Sequence, residues 1–414
     1  MTSPGANTPF VAIACGGTGG HLFPGLAVAE QLQKRGCAVA LLVSPKDVDQ
    51  EAVKSARGME IVTLPAVALQ NRNHLSFARS FWQSWRASRK LFKSHPPQAV
   101  LAMGGFTSAP PVLAAGKFGA RTFFHESNTI PGRANRFLAR FVDEAFVGFP
   151  SAAARLSARK VTTTGTPVRP QFSLWWGEAT DPAMRDEGAR PARIAECRTA
   201  FGLDSNRPTI LVMGGSQGAS GINDMILSVL PSLGNHAAAW QWLHLTGPGD
   251  VEKVEQAYAT RGYKAVVKPF LTEMDLALGA ATVAVSRAGA SSLAEIAAMR
   301  LPSLLVPFPA AAGNHQFYNA QAFEATGAAR LFEQKNATPA KVAALLCELV
   351  EDPAARAKIQ TALAQWHAPR AAEQIAVIML AAIARQPGQA VAPASKCSCG
   401  CADKPAKQSG SLGA

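Results

Sequence analysis

A chain of 414 residues with 48% hydrophobic content, 34 glycines and 28 prolines is long enough for two globular domains and too apolar to be fibrous or disordered throughout. Its formal charge of +13 calls for an anionic partner, whether nucleic acid, a phospholipid surface or a phosphate-bearing substrate. The seven cysteines, odd in number and unevenly spread, exclude a disulfide framework and fit a reducing compartment.

Met1 to Pro9 has no basic stretch leading into a long apolar core, so no secretory signal is expected. Val11–Cys15 reads as a buried strand, Gly16–His21 as a tight glycine loop, and Pro24–Arg35 as a helix that opens on proline and ends before Gly36. Val39–Ser44, Ile61–Leu64, Ala99–Met103, Thr122–His125 and Glu144–Val147 supply further short apolar strands between helical stretches, which predicts an open, mostly parallel sheet. Ala99–Ala115 is the longest weakly polar run, but Gly104, Gly105, Pro110 and Pro111 interrupt it, so no membrane crossing is expected. From Ile61 through His125 there is no Asp or Glu, while Arg72, Arg79, Arg86, Arg89, Lys90, Lys93, Lys117 and Arg121 all fall inside. On a helix over Ser76–Ser94, Phe77, Phe81 and Trp85 recur every four residues beside Trp82, with Arg86 and Arg89 flanking them. Either this aromatic face packs on its own sheet, or it dips into an anionic membrane surface.

The pattern then repeats. Ser173–Arg193, rich in charge, Pro and Gly, reads as an exposed insertion at the head of a second domain. Thr209–Met213 is a strand, Gly214–Gly218 a second glycine loop and Gly221–Leu233 a helix. Val283–Val285, Ser303–Pro307 and Ala329–Phe332 continue this sheet, with helices at Ser292–Met299 and His315–Ala325. A closing helix over Arg370–Ala384 is apolar on one face, and beyond Gln386 the Pro, Ala, Ser, Gly and Lys composition cannot bury a core. Cys397, Cys399 and Cys401 lie in that tail without partner ligands. The fold class that follows is α/β, with two doubly wound Rossmann-like domains facing across a cleft.

In Gly16-Gly17-Thr18-Gly19-Gly20-His21 the glycines let the backbone approach an anion without Cβ obstruction, and the helix that follows offers free N–H groups. Gly214-Gly215-Ser216-Gln217-Gly218 repeats the device, with Ser216 adding a hydroxyl donor. Neither loop has the Gly-x-Gly-x-x-Gly spacing of a dinucleotide enzyme, so two phosphate-bearing partners fit better than one dinucleotide.

Gly16–His21 with Pro24, Gly104-Gly105-Phe106, His125-Glu126-Ser127-Asn128, Gly165-Thr166-Pro167-Val168-Arg169, Gly214–Ala219, Ser286–Glu295 and His315-Gln316 resemble, in this order, the MurG family of bacterial peptidoglycan transferases. The resemblance to this branch of glycosyltransferase family 28 covers Phe10 to Ala384 and implies the GT-B arrangement of two domains. It also implies transfer of N-acetylglucosamine from UDP-GlcNAc to the muramyl sugar of undecaprenyl-linked lipid I, giving lipid II. The partners it implies are the UDP-GlcNAc donor, the lipid-linked muramyl-pentapeptide acceptor, an anionic membrane surface and proteins of the cell-wall machinery, with no nucleic acid. The expected location is the cytoplasmic face of the plasma membrane. Residues 1–168 would face acceptor and membrane, 169–366 would hold the donor, 367–386 would return to the first domain, and 387–414 would be a disordered tail.

By the same resemblance, uracil would lie near Leu271, and the ribose hydroxyls on Glu295. The donor diphosphate would meet Ser216 and the helix opening at Ala290, Ser291, Ser292, Leu293 and Ala294, and Gln316 would read the sugar hydroxyls. Thr18, Gly19, Gly20, Asn128 and Arg169 match positions that line the cleft near donor sugar and diphosphate. An inverting transfer needs a base for the acceptor hydroxyl, for which His21 is the first candidate and Glu126 the second. No cofactor is expected, and no metal: Asp47-Val48-Asp49 reads as an acidic helix start, away from the donor motifs. Phe106 stands where the family often has tyrosine and Ser127 where glutamine is common. Rival readings are a diacylglycerol glycosyltransferase, a UDP-GlcNAc epimerase of similar architecture, and a catalytically silent nucleotide-sugar binder.

Overall fold

The computed structural model of the chain describes residues 8–16, 19–45, 56, 58–65, 74–173, 175, 190–215 and 218–385. Thr18, Asp47 to Asp49, Arg72, Ser216, most of the Ser173–Arg193 segment and the cysteine-bearing tail lie outside the described residues.

The first half is a seven-stranded sheet built from β1 (Phe10–Ala14), β2 (Ala38–Val43), β3 (Glu60–Thr63), β4 (Ala99–Ala102), β5 (Arg121–Glu126), β6 (Glu144–Val147) and β7 (Val161–Thr163). Its order is β3-β2-β1-β4-β5-β6-β7, and every pair is parallel. The second half has β8 (Thr209–Met213), β9 (Gln241–Leu245), β10 (Ala265–Lys268), β11 (Val283–Ser286), β12 (Ser303–Leu305) and β13 (Arg330–Leu331), in the order β10-β9-β8-β11-β12-β13, again all parallel. Near-continuous apolar runs such as Val11–Ala14 form these strands because both faces of each sheet are covered.

In the first half the alternation of side chains along β1 splits the core in two. Val11 and Ile13 pack under α1 (Gly19–Gln33), while Ala12 and Ala14 face the layer of α2 (His74–Ser94) and α3 (Ala109–Gly116). The last described helix belongs to the first of these layers. Ala372, Ile375, Ala376, Met379 and Ile383 of the helix Ala371–Ala384 are buried against α1, and Glu373 pairs with Arg35 at 3.0 Å. The chain thus enters the second half once and comes back.

Several elements differ from the sequence reading. Helix α1 begins at Gly19, not Pro24, so Pro24 sits inside it and cannot donate to the Gly20 carbonyl four residues earlier. Strands β7, β9 and β10 are absent from the sequence reading because Thr162, Gln241, His244 and Lys268 break their apolar runs.

Candidate functional site

In both sheets the chain order reverses direction beside the first strand, between β1 and β4 and between β8 and β11. At such a switch point the connecting helices leave on opposite faces, so a crevice opens at the carboxyl ends of the strands. The loops after β1, β4 and β5 from one half and after β8 and β11 from the other line a single cleft of about 830 Å³.

The glycines here are demanded by close approach. A Cβ on Gly16 would lie 2.5 Å from the Ser44 nitrogen, and one on Gly218 would lie 2.5 Å from the Thr246 carbonyl oxygen. Gly104 and Gly105 have φ of +120° and +76°, and their backbone forms the floor on which the His21 ring rests. A Cβ on Gly104 would come within 2.7 Å of His21 Cε1 and 2.9 Å of its Nδ1. His21 is in the first turn of α1 and lines the cleft. Across the cleft, the Ser291 hydroxyl donates to the Gly20 carbonyl at 2.7 Å. That carbonyl is the one Pro24 leaves without a helical N–H, so the proline creates the acceptor that joins the two halves.

The loop after β5 is held from within. His125 is fully buried; one ring nitrogen, Nε2, lies 2.9 Å from the Gly165 carbonyl, and Ser127 Oγ lies 3.1 Å from Nδ1. Burial pushes the pKa of His125 down, so it works as a neutral brace, with Ser127 in hydrogen-bond contact. Glu126 Oε1 accepts from Asn128 N (2.9 Å) and Asn128 Nδ2 (3.0 Å), and Oε2 accepts from Gly132 N (2.8 Å) and Asn135 Nδ2 (2.9 Å). With four donors on its two oxygens, this carboxylate has its lone pairs in use within its own loop.

In the second half, the helix Ala290–Met299 starts at the cleft with Gly289 as its N-cap. Ala290, Ser291, Ser292 and Glu295 line the cleft, as does Leu271. Leu293 does not: it is fully buried in the second-half core, and Ala294 also lies off the lining, so neither offers a side chain to a ligand. Gln316 is likewise set back, its Oε1 accepting from Phe308 N at 2.9 Å. Glu295 keeps one face on the cleft, but the protein packed around it pushes its carboxyl up to about 7, against the opposing pull of Arg169. Arg169 lies over the rings of Phe23 (4.5 Å) and Phe172 (5.1 Å), and its Nε and Nη2 are buried with no hydrogen-bond partner among the described residues. Arg169 also lines the cleft, so a guanidinium with two unpartnered donors stands in its wall.

Sequence reasoning missed the supports. Arg287 is buried and donates to the carbonyls of Val306 (3.0 Å) and Pro307 (3.1 Å), fixing the segment that carries Phe308. His244 is buried between Asn223 Oδ1 (3.0 Å) and Tyr258 OH (3.1 Å), and burial lowers its pKa to about 3. The same Asn223 bonds Thr246 O at 3.0 Å, so this network braces the strand end that Gly218 packs on. Neither residue has a spacing or motif that marks it. Outside the cleft, His236, Cys347 and Glu351 bring one potential metal ligand each to within 4.8 Å of one another, with His236 Nδ1 and Glu351 Oε1 in contact at 2.5 Å.

The aromatic helix α2 divides its residues between two faces. Phe81 and Trp85 pack half-buried against the first-half core, and Phe77 makes an edge contact with Phe106 at 5.3 Å. Trp82 is 53% exposed and Leu75 84%, with Arg86 stacked over Trp82 at 5.1 Å and Arg89 over Trp85 at 4.9 Å. Phe137 and Phe141 form a second exposed aromatic pair, 5.1 Å apart. Among the described residues no helix is long and apolar enough to cross a membrane.

Two Rossmann-like domains that line one cleft at the carboxyl ends of their strands have the architecture of the two-domain glycosyltransferases. The chain matches the glycosyltransferase family 28 N-terminal domain over residues 11–147 and the family 28 C-terminal domain over residues 209–375. It is 34% identical over 91% of its length to a UDP-N-acetylglucosamine--N-acetylmuramyl-(pentapeptide) pyrophosphoryl-undecaprenol N-acetylglucosamine transferase of Anaeromyxobacter sp. (strain K), covering 96% of that protein. A protein of the same description from Citrifermentans bemidjiense is 35% identical over 87% of the chain and 96% of its own length. The crystal structure of Acinetobacter baumannii MurG superposes with a TM-score of 0.67 at 25% identity, over 90% of this chain and 99% of that one. The chain belongs to glycosyltransferase family 28, in its MurG branch. A UDP-N-acetylglucosamine 2-epimerase from Listeria monocytogenes, at 13% identity and a TM-score of 0.64 over 91% of this chain and 96% of its own, shares the fold alone.

The floor under His21 gives a direct test. Gly104→Ala places a Cβ at a φ that L-residues rarely adopt and inside the imidazole's space, so it should cost about 1–3 kcal/mol in urea unfolding. Unchanged stability would show that His21 is not seated on this loop.

Proposed function

We propose that the protein transfers N-acetylglucosamine, with inversion, from UDP-GlcNAc to the muramyl sugar of undecaprenyl-pyrophosphoryl-MurNAc-pentapeptide, giving the lipid-linked disaccharide. The observation that carries this reading is one cleft lined by His21 on its glycine floor together with Arg169, Glu295 and the start of the helix Ala290–Met299. The donor belongs to the half from 169 to 366 and the acceptor to residues 1–168, with 367–386 as the returning segment.

In this scheme Glu295 accepts hydrogen bonds from the ribose hydroxyls, and uracil lies by Leu271. The diphosphate takes Arg169 and the free N–H groups of the Ala290–Ser292 turn, together with Ser216. Thr18, Gly19 and Gly20 bring backbone N–H groups from the other side. His21 takes the proton of the attacking sugar hydroxyl as the bond to the anomeric carbon forms, and the bond to UDP breaks on the opposite face. Arg169 and the helix N-terminus stabilise the charge gathering on the leaving UDP, so the scheme has no step that requires a metal. Asn128 holds its loop through Glu126, and Gln316 reaches the sugar once its bond to Phe308 opens.

Transfer of radiolabelled GlcNAc from UDP-GlcNAc to a short-chain lipid I analogue tests this directly, with diacylglycerol and a no-acceptor control in parallel. His21→Ala should lower kcat about 10²–10⁴-fold, as loss of a general base does. Glu126→Gln should lower kcat less, about tenfold, because the amide oxygen keeps two of the four bonds while the amide nitrogen faces the other two donors, which loosens the loop without removing the base. Transfer to diacylglycerol, or epimerised UDP-sugar without transfer, would sink the reading.

The perturbed Glu295 predicts a pH dependence. Its carboxyl, pushed up to about 7 in the free protein, must be ionised to accept from both ribose hydroxyls. Below about pH 7 donor binding therefore has to expel a proton, and the dissociation constant for UDP-GlcNAc should rise about tenfold per pH unit; above it, binding is flat. Calorimetric titration of the wild type and Glu295→Gln decides this, because the variant should bind weakly at every pH with no slope.

A lipid-linked acceptor needs an enzyme at the bilayer surface. We assign that contact to Leu75 and Trp82 with Arg86 and Arg89, while Phe77, Phe81 and Trp85 anchor the helix to the protein; the Phe137–Phe141 pair extends the apolar surface. Arg86→Ala and Arg89→Ala should each weaken sedimentation with anionic vesicles about fivefold, the equivalent of about 1 kcal/mol per charge. Undiminished binding in both variants would place the contact elsewhere.

A further inference from the structure

Asn319 has no part in the scheme above, yet it lies fully buried where the two halves meet, on the helix His315–Ala325. Its Oδ1 accepts from Thr129 N (2.9 Å) and Thr129 Oγ1 (2.9 Å), and its Nδ2 donates to Asn128 Oδ1 (3.0 Å) and Ala288 O (3.1 Å). One amide thereby uses both lone pairs and both hydrogens, on partners from both domains.

What those partners do gives the arrangement its meaning. Asn128 passes the connection on to Glu126 through its backbone and side-chain nitrogens, and Glu126 holds the whole turn to Gly132. Ala288 stands just before Gly289, the N-cap of the helix that opens on the cleft. The acceptor-side loop and the donor-side helix are thus joined through a single side chain. The groups that Asn319 touches are uncharged, so the coupling acts through position: when Asn319 is seated, the loop and the helix start hold one register; when the halves part, its three bonds to Thr129 and Asn128 are lost together, while the one to Ala288, within its own half, stays.

We propose that Asn319 is a positioning residue for sugar transfer, one that ties the setting of the Glu126–Gly132 loop to that of the donor-binding helix. This rests on the transfer reading given above. A residue that only filled space would lower stability and leave the relation between the two substrates unchanged; a positioning residue separates binding from turnover.

The test is a cycle of Asn319→Ala, Asn128→Ala and the double variant in the full chain, with UDP-GlcNAc and the lipid I analogue, alongside thermal melts. Asn319→Ala should lower kcat about 10–100-fold, as a small misplacement of reacting groups does, while KM for UDP-GlcNAc stays within about threefold. The double variant should be no worse than the more damaged single one, because both substitutions cut the same connection. Losses that multiply, or an unchanged kcat, would overturn the proposal. If the alanine variant does not fold, Asn319→Asp keeps the shape and both acceptor contacts to Thr129 while removing both donations, and should show the same kcat loss. Deuterium exchange of the Thr129 amide in the nucleotide-free protein separates the two levels of the argument. Absence of transfer by the wild type refutes the reading, whereas wild-type exchange in Asn319→Ala refutes the connection whether or not transfer occurs.

Discussion

When every strand of a sheet runs the same way, the chain can regain its starting edge only through crossover helices, so all the strands end on one side. That constraint operates twice here, and it leaves each half with a single edge where loops are free to specialise. The returning helix Ala371–Ala384 and the contacts of Ser291 and Asn319 set those two edges against each other. Gly16, Gly104, Gly214 and Gly218 stand where a Cβ would overlap atoms of their own half, so the glycine loops belong to the packing of each edge.

The electrostatics of the cleft follow from the same enclosure. Arg169 is sandwiched between Phe23 and Phe172, surroundings that hold its position without cancelling its charge. The carboxylates nearest to it do not cancel it either: burial is the largest influence on both Glu295 and Glu30, and it raises both pKa values in spite of the guanidinium's attraction. In the first half, His21 and the loop after β5 complete the lining.

Much of this was legible in the sequence, for identifiable reasons. Strands such as Val11–Ala14 and Ile210–Met213 are unbroken apolar runs because both of their faces are covered, and the glycine loops stand out by their composition. The start of α1 was not legible: proline is a good first residue of a helix, and only the tertiary contact of Ser291 with the Gly20 carbonyl makes it tolerable further in. The aromatic stripe of α2 left two readings open in the sequence, core-facing or membrane-facing. Phe77, Phe81 and Trp85 recur at the spacing of a core-facing stripe, and the residue beside them, Trp82, is the one left in solvent. Asn319, Arg287 and His244 were invisible because a buried polar residue has no local signature; what distinguishes each is the set of partners that the fold brings to it.

The two candidate bases show how far geometry goes beyond a motif. The sequence offers His21 first and Glu126 second, since either residue type can hold a proton near neutral pH when its surroundings are suitable. The fold treats them differently. A base has to present a lone pair to the substrate, and the Glu126 oxygens already receive four hydrogen bonds from its own loop. Taking a proton there would mean giving up a bond from Asn128, Gly132 or Asn135 and loosening the turn that faces the acceptor. His21 is instead supported from below by the Gly104–Gly105 backbone, which fixes the ring by contact while one edge of it borders the cleft. In the proposed reaction the carboxylate therefore keeps the loop in place, and the imidazole carries the proton.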